Sequence, residues 1–133
     1  MSYETAVILA ALWLGVPAEL AIAAAELADE PVHHVSYLLS EHPGGRYSGA
    51  CGRDDACGPY QLVTLWERKY GGDRTDPRDA TEIFAKVVER AKAKHGDSWR
   101  ESIKCNGECQ DAVDYWVAQE KRVESIVEVL CGD

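Results

Sequence analysis

The pattern of apolar and polar positions predicts a series of helices separated by short breaks. Residues 3–14 are apolar on almost every side, which predicts a buried helix that ends at Gly15. Pro17 suits the first turn of a second helix, predicted over residues 18–28. Because the residue before a proline avoids helical geometry, Asp29-Glu30-Pro31 predicts a stop and a restart. Two N-terminal helices, within residues 1–30, are therefore expected.

After this restart, apolar residues again recur at helical spacing. The segment VHHVSYLLSE predicts a helix whose last turn carries Glu41. A short helix is predicted over residues 59–70, with Leu62, Leu65 and Trp66 facing inward. The remaining predicted helical ranges are 77–95, a brief turn over 98–103, and 111–130. Few positions alternate as strands do, so the predicted fold class is mainly α.

Residues 40–66 read SEHPGGRYSGACGRDDACGPYQLVTLW and differ in composition from the helices around them. Connections between helices usually have a median length of about 4 to 6 residues, and longer ones tend to be functional or disordered. The segment is rich in Gly, Pro, Cys and Asp, and it is long enough to contain a small hairpin within residues 45–57. The sequence therefore predicts a long functional loop.

Size and charge narrow the classes of protein to which the chain belongs. Its 133 residues, 46% of them apolar, fit a single domain with its own hydrophobic core. Its net charge of -9 excludes a free-standing nucleic-acid-binding domain, because phosphate contacts require clustered Lys and Arg. The apolar stretch over residues 6–28 lacks a preceding basic segment and is flanked or interrupted by Glu4, Glu19 and Glu26. Neither a membrane span nor a clear signal peptide is therefore expected.

The five cysteines allow three interpretations. Cys51 and Cys57 lie close together in the long loop, and Cys105 and Cys109 lie close together in a second one. These four are expected to form two local disulfides, to remain free thiols, or to bind zinc. The disulfide hypothesis is preferred because the spacings do not match common zinc motifs. Cys131 lies outside all three arrangements.

Several motifs follow one another in an order that resembles the lysozyme-like superfamily, in particular its lytic transglycosylase and goose-type lysozyme branches. A glutamate at a helix end is followed by a Gly-rich loop and a Gly-x-x-Gln motif. The matching elements are Glu41, Gly58-Pro59-Tyr60-Gln61-Leu62, Asp76-Pro77 with Ala80, Ser98-Trp99, and Cys105-Asn106-Gly107. The resemblance covers about residues 31–125. It implies a transglycosylase-like helical core over residues 31–130, preceded by the two N-terminal helices, with a long active-site loop.

The resemblance also implies a function and a set of site residues. Glu41 is expected to be the general acid and base that cleaves the β-1,4 bond between N-acetylmuramic acid and N-acetylglucosamine. Asp54 and Asp55 are candidates for a second catalytic carboxylate that positions water. If either lies about 6.5 to 9.5 Å from Glu41, inverting hydrolysis is feasible; otherwise Glu41 acts alone as a lytic transglycosylase, which is slightly favoured. The candidate substrate-binding residues are Tyr60, Gln61, Asn106 and Tyr115.

Two positions differ from the family pattern, and two other classes of function remain open. His42 stands where the family usually has Ser, and Cys105 stands where it usually has Tyr. One alternative is a noncatalytic module that binds glycan or forms part of a cell-wall or phage-virion assembly. Another is an unrelated helical protein with a thiolate zinc site. His33, His34 and His42 lack the spacing of a metal site, so no cofactor is expected. The expected partner is peptidoglycan, and the expected location is extracellular, periplasmic or virion-associated.

Overall fold

The computed structural model describes residues 1–45, 47, 50–51, 55–104 and 109–132, and the predicted mainly α class is confirmed. A 3-10 turn at Gly96–Ser98 joins the fifth helix to the sixth. No helix of the described part is long and apolar enough to cross a membrane. The helices are α1 (Tyr3–Trp13), α2 (Ala18–Leu27), α3 (Pro31–Glu41), α4 (Thr64–Tyr70), α5 (Pro77–His95), α6 (Trp99–Lys104) and α7 (Gln110–Cys131).

Helix α1 is buried on one face only, which corrects the prediction of a wholly buried helix. Its buried residues are small, namely Ala6, Val7, Ala10 and Ala11. Small side chains allow α2 and α7 to pack closely against this face. The large apolar residues therefore lie on the outer face, where Trp13 is 82% exposed.

Helices α3 and α7 form the centre of the core. The Trp116 side chain of α7 is fully buried between them. Its indole Nε1 donates to Ser36 Oγ at 2.9 Å, so this buried N–H keeps a hydrogen-bond partner. Helix α5 completes the core with Ala80, Ile83, Phe84, Val87, Val88 and Ala91. These are the apolar positions of the predicted amphipathic helix, which begins after the Asp76 N-cap as its Asp-Pro motif predicts.

The Gly-Pro-Tyr-Gln motif forms a tight turn rather than the start of a helix, so the predicted helix over residues 59–70 was too long. Cys57 and Leu62 exchange two backbone hydrogen bonds of 2.9 Å, and α4 begins only at Thr64. Gly58 has a φ of +81°, and a Cβ at this position would lie 1.9 Å from the Arg74 carbonyl oxygen. The turn therefore requires glycine. Leu62 is buried as predicted, whereas Leu65 is 62% exposed.

A disulfide joins Cys51 to Cys57 at the start of this turn, which confirms the first predicted pair. Because both sulfurs are consumed in the bond, these two cysteines cannot be thiolate ligands of a zinc ion. The second predicted pair includes Cys105, which lies outside the described residues. Cys131 ends α7 and is exposed.

Candidate active site at the end of helix α3

Glu41 is the last residue of α3 and stands at the edge of the long loop. The preceding residues of this helix, Tyr37, Leu38, Leu39 and Ser40, are all buried. The Glu41 side chain itself is only 26% exposed. The chain leaves helical geometry at His42, whose backbone N–H still bonds Leu38 at 3.0 Å. The helix therefore holds a partly buried carboxylate at a fixed position next to the loop.

Two side chains lie near the Glu41 carboxylate, and one of them forms an ion pair with it. Lys104, the last residue of α6, donates from Nζ to Glu41 Oε1 at 3.1 Å, and its own side chain is only 7% exposed. Tyr37 lies one helical turn before Glu41, and its hydroxyl lies 3.5 Å from the Tyr60 carbonyl oxygen. Burial, and then the nearby Glu41 charge, raises the pKa of Tyr37 well above its usual range. The Lys104 ammonium also lies 4.7 Å from the centre of the Tyr37 ring. These three side chains form one cluster.

The turn that carries Gln61 packs directly against the end of α3. His42 Nε2 lies 2.6 Å from the Pro59 carbonyl oxygen, and the Tyr37 hydroxyl lies 3.5 Å from the Tyr60 carbonyl oxygen. Gln61 directly follows Tyr60 in the sequence. These two contacts therefore connect the turn that carries Gln61 to the end of the helix that carries Glu41. Its Nε2 donates to the carbonyl of Gly58 at 2.8 Å, which fastens the turn on itself.

The two candidate tyrosines occupy different environments. Tyr60 is fully buried, stacks on Phe84, and accepts a hydrogen bond from Thr81 at 3.2 Å. A ring without exposed surface does not line a cleft, so the structure places Tyr60 in the core rather than on a sugar-binding surface. Tyr115 lies on α7 and is 42% exposed. Asn106 lies outside the described residues.

The Asp55 carboxylate is occupied by the neighbouring Arg74 and Thr64. One oxygen accepts from Arg74 at 2.9 Å, and the other accepts from the backbone N–H of Thr64 at 2.9 Å and from its hydroxyl. Hydrogen bonds from Arg74, and then from Thr64, hold the pKa of Asp55 well below its usual range. These contacts satisfy the first free N–H of α4. They also join the segment before α4 to the segment between α4 and α5. Asp54 lies outside the described residues.

The three histidines that adjoin Glu41 in sequence do not share a site. His33 contacts Glu30 and Glu120, and the fully buried His34 packs its ring edge-on against Phe84. Burial lowers the pKa of His34 to about 3. The described residues contain no group of three or more His, Cys, Asp or Glu side chains that could hold a metal ion.

A cavity of about 300 Å³ lies beside the Gln61 turn, between the segment after it, α5 and α6. Tyr37 and Gln61 both line it, so the cavity adjoins the cluster around Glu41. Its floor includes the apolar residues Leu62 and Phe84, and its edge includes Arg90. The site therefore combines a fixed carboxylate with an adjacent cavity that has apolar and polar walls, as small-molecule sites commonly do.

Two members of the cluster were not among the candidates taken from the sequence. Tyr37 precedes Glu41 by four residues, a spacing that places two side chains on one face of a helix. This spacing is visible in the sequence and could have identified Tyr37 as a neighbour of Glu41. Lys104 directly precedes Cys105-Asn106-Gly107, but only the packing of α6 against the rest of the fold brings it to Glu41.

Comparison with known proteins adds nothing to this geometry. No protein-family model, no curated protein and no solved structure matches the chain.

Proposed function

We propose that this protein is a peptidoglycan-cleaving glycosidase in which Glu41 is the general acid and base. The observation that carries the proposal is the partly buried Glu41 carboxylate, held by Lys104 next to Tyr37 and beside the Gln61 turn. Glycoside cleavage needs a carboxyl group fixed against the bond that breaks. Tyr37 also supplies a hydroxyl near the glutamate, although Cys105 replaces the tyrosine usual in the resembling families.

The occupied Asp55 carboxylate favours lytic transglycosylation over hydrolysis. In this route Glu41 donates its proton to the glycosidic oxygen as the bond to the muramyl C1 breaks. Glu41 then takes the proton of the muramyl C6 hydroxyl, whose oxygen bonds to C1 and gives a 1,6-anhydro product. The Lys104 ammonium stabilises the ionised carboxylate between these two steps. No second carboxylate is required, and Asp55 is committed to Arg74 and Thr64.

The test is mass spectrometry of purified peptidoglycan digested with the wild type, with Glu41→Gln and with Glu128→Gln. Glu128 is an exposed residue of α7 and provides the same chemical change away from the site. We expect 1,6-anhydromuramyl ends from the wild type and from Glu128→Gln, and no product from Glu41→Gln. Reducing muramic ends would instead identify a lysozyme. Products that persist in Glu41→Gln would contradict the role given to this residue.

One observation favours a noncatalytic glycan-binding module as the second candidate. The buried Lys104 side chain neutralises Glu41, and such an ion pair is also suited to a purely structural role. If folded wild-type protein releases no product, pull-down on insoluble peptidoglycan distinguishes this candidate. A binding module retains affinity in Glu41→Gln, because no cleavage step is lost.

A further inference from the structure

The cavity beside the Gln61 turn has at its edge an arginine that forms no ion pair with the described residues. Arg90 and His95, both on α5, lie at its edge. The chain contains 23 acidic residues against 14 Lys and Arg, so carboxylates outnumber the basic side chains. Arg74, Arg78 and Arg100 all form ion pairs. Within the described part of the chain, Arg68, Arg90 and Arg122 form none, and of these three only Arg90 lines the cavity.

Arg90 is nevertheless held in place. Its guanidinium lies 5.6 Å from the centre of the Trp66 ring, an arrangement in which a cation and an aromatic face attract each other. Trp66 is in turn stacked on Tyr70, which fixes its own orientation. Stacking occupies the face of a guanidinium and leaves its N–H edge available for a planar anion. Basic residues near a helix C-terminus are common because they complement the helix dipole, but that effect does not direct a side chain over a cavity.

We infer that this cavity is a subsite for a carboxylate carried by the glycan, with Arg90 as its binding partner. Arginine binds carboxylates through two parallel hydrogen bonds, which selects them over neutral groups. The Ser102 hydroxyl and the Gln61 amide also line the cavity, and they provide polar contacts for sugar hydroxyl or acetamido groups. Leu62 and Phe84 provide an apolar surface for the methyl groups of acetyl or lactyl substituents.

The identity of the ligand rests on the proposed function. In peptidoglycan, only the muramyl residue carries an acidic substituent. Its lactyl carboxylate is free where the peptide has been removed, whereas in intact strands the nearest carboxylates belong to the stem peptide. Both sources present the same chemistry to Arg90. The subsite therefore distinguishes muramyl residues from the neutral N-acetylglucosamine residues that alternate with them.

The experiment is an NMR titration of the full chain with three short ligands. These are N-acetylglucosaminyl-N-acetylmuramic acid, the same disaccharide bearing a stem peptide, and chitobiose as the neutral reference. We expect at least one acidic disaccharide to bind about tenfold more tightly than chitobiose. The acidic ligand that binds more tightly identifies the source of the carboxylate. Equal affinity for all three ligands, or no binding of any, would overturn the inference.

Three variants test the assignment to Arg90. Arg90→Gln is expected to abolish the preference for acidic ligands, and Arg90→Lys to retain only part of it because a lysine cannot form the paired hydrogen bonds. Arg68→Gln, an exposed arginine of α4, should keep the full preference. Because Arg90 is itself exposed, its replacement should not prevent folding. A preference that survives in Arg90→Gln would contradict the subsite.

The binding result is separable from the catalytic one. An Arg90-dependent preference without cleavage of peptidoglycan supports the subsite and rejects the glycosidase. Cleavage without that preference supports the glycosidase and rejects the subsite.

Discussion

The two ends of helix α3 carry charged clusters that differ in how completely their members are paired. At the N-terminal end, His33 contacts Glu120, and Arg100 donates to both oxygens of Glu120 at 3.0 and 2.8 Å. The Arg100 guanidinium also lies 4.6 Å from the ring centres of both Trp99 and Trp116. Burial alone would raise the pKa of Glu120, but hydrogen bonds from His33 and Arg100 outweigh it and lower the pKa.

At the C-terminal end, the Glu41 carboxylate has fewer partners and more exposure. Its side chain is 26% exposed, against 12% for Glu120, and it adjoins a loop and a cavity instead of two tryptophans. The N-terminal cluster joins α3, α6 and α7, whereas the C-terminal cluster joins α3 to α6 by one ion pair and leaves the Glu41 carboxylate partly exposed. Pairing and exposure, rather than residue type, separate a structural glutamate from a candidate catalytic one.

The largest expected effect comes from Glu41→Gln. A general acid typically contributes about 10² to 10⁴-fold to a reaction rate, so we expect peptidoglycan cleavage to fall by at least about a hundredfold. The free energy of unfolding should fall by about 1 to 2 kcal/mol, because the substitution leaves the Lys104 ammonium, whose side chain is 7% exposed, without its carboxylate partner. Turnover and urea denaturation of the same preparation measure both quantities. A loss of activity no larger than the loss of folded protein would show that Glu41 is structural.

The same substitution in the cluster at the N-terminal end of α3, Glu120→Gln, should have the opposite effects on stability and activity. It leaves Arg100 and His33 without their shared carboxylate, which should lower the free energy of unfolding by about 2 to 3 kcal/mol. Activity per folded molecule should stay near the wild-type value. Urea denaturation and an assay of the folded fraction test this expectation. If Glu120→Gln is as stable as the wild type, the N-terminal cluster does not hold the helices together.

Acidification should lower the free energy of unfolding through His34, which lies near the N-terminal end of α3. Its pKa is about 3 in the fold and about 6.5 in an unfolded chain, so between these values the unfolded state binds more protons. The His34 contribution is therefore complete above pH 6.5 and falls by about 1.4 kcal/mol per pH unit as the pH drops toward 3.

Denaturation of the wild type and of His34→Gln at pH 6.5 and pH 5 isolates this contribution, because most carboxylates titrate below that window and the other histidines are common to both proteins. We expect the wild type to lose about 2 kcal/mol between the two pH values. The loss should be clearly smaller in His34→Gln, and His95→Gln, at the exposed end of α5, is the matched control. A wild type and a His34→Gln variant with the same pH slope would contradict the assignment.

The smallest expected effect on stability comes from Lys104→Gln. Its partner Glu41 is partly exposed, so the loss of the ion pair should cost about 1 kcal/mol or less in urea denaturation. Cleavage should nevertheless decrease, because Lys104 no longer stabilises the ionised carboxylate between the two half-reactions. Comparison with Lys94→Gln, an exposed residue of α5, controls for the loss of one positive charge. Unchanged cleavage in Lys104→Gln would remove Lys104 from the proposed site.

The sequence by itself determined most of the helices and the position of Glu41. Apolar spacing, the Asp76 N-cap and the prolines at helix starts act between neighbouring residues, so they can be read without a fold. For the same reason Glu41 was expected at a helix end, and Cys51 was expected to pair with the nearby Cys57. The predicted helix start at Pro59 was wrong. The residues there form a turn in which Gly58 packs against the distant Arg74 backbone.

Only the tertiary structure decided which charged residues meet. Lys104 reaches Glu41 from 63 positions along the chain, and Arg74 occupies Asp55 from 19 positions away. No local pattern encodes such pairs, because a salt bridge depends on where packed helices bring two flexible side chains. The exposure of a side chain likewise depends on the residues that pack around it. Tyr60 was therefore predicted from the sequence to bind substrate but is fully buried in the fold. Local interactions therefore placed the candidate glutamate, and packing between distant helices decided its partners.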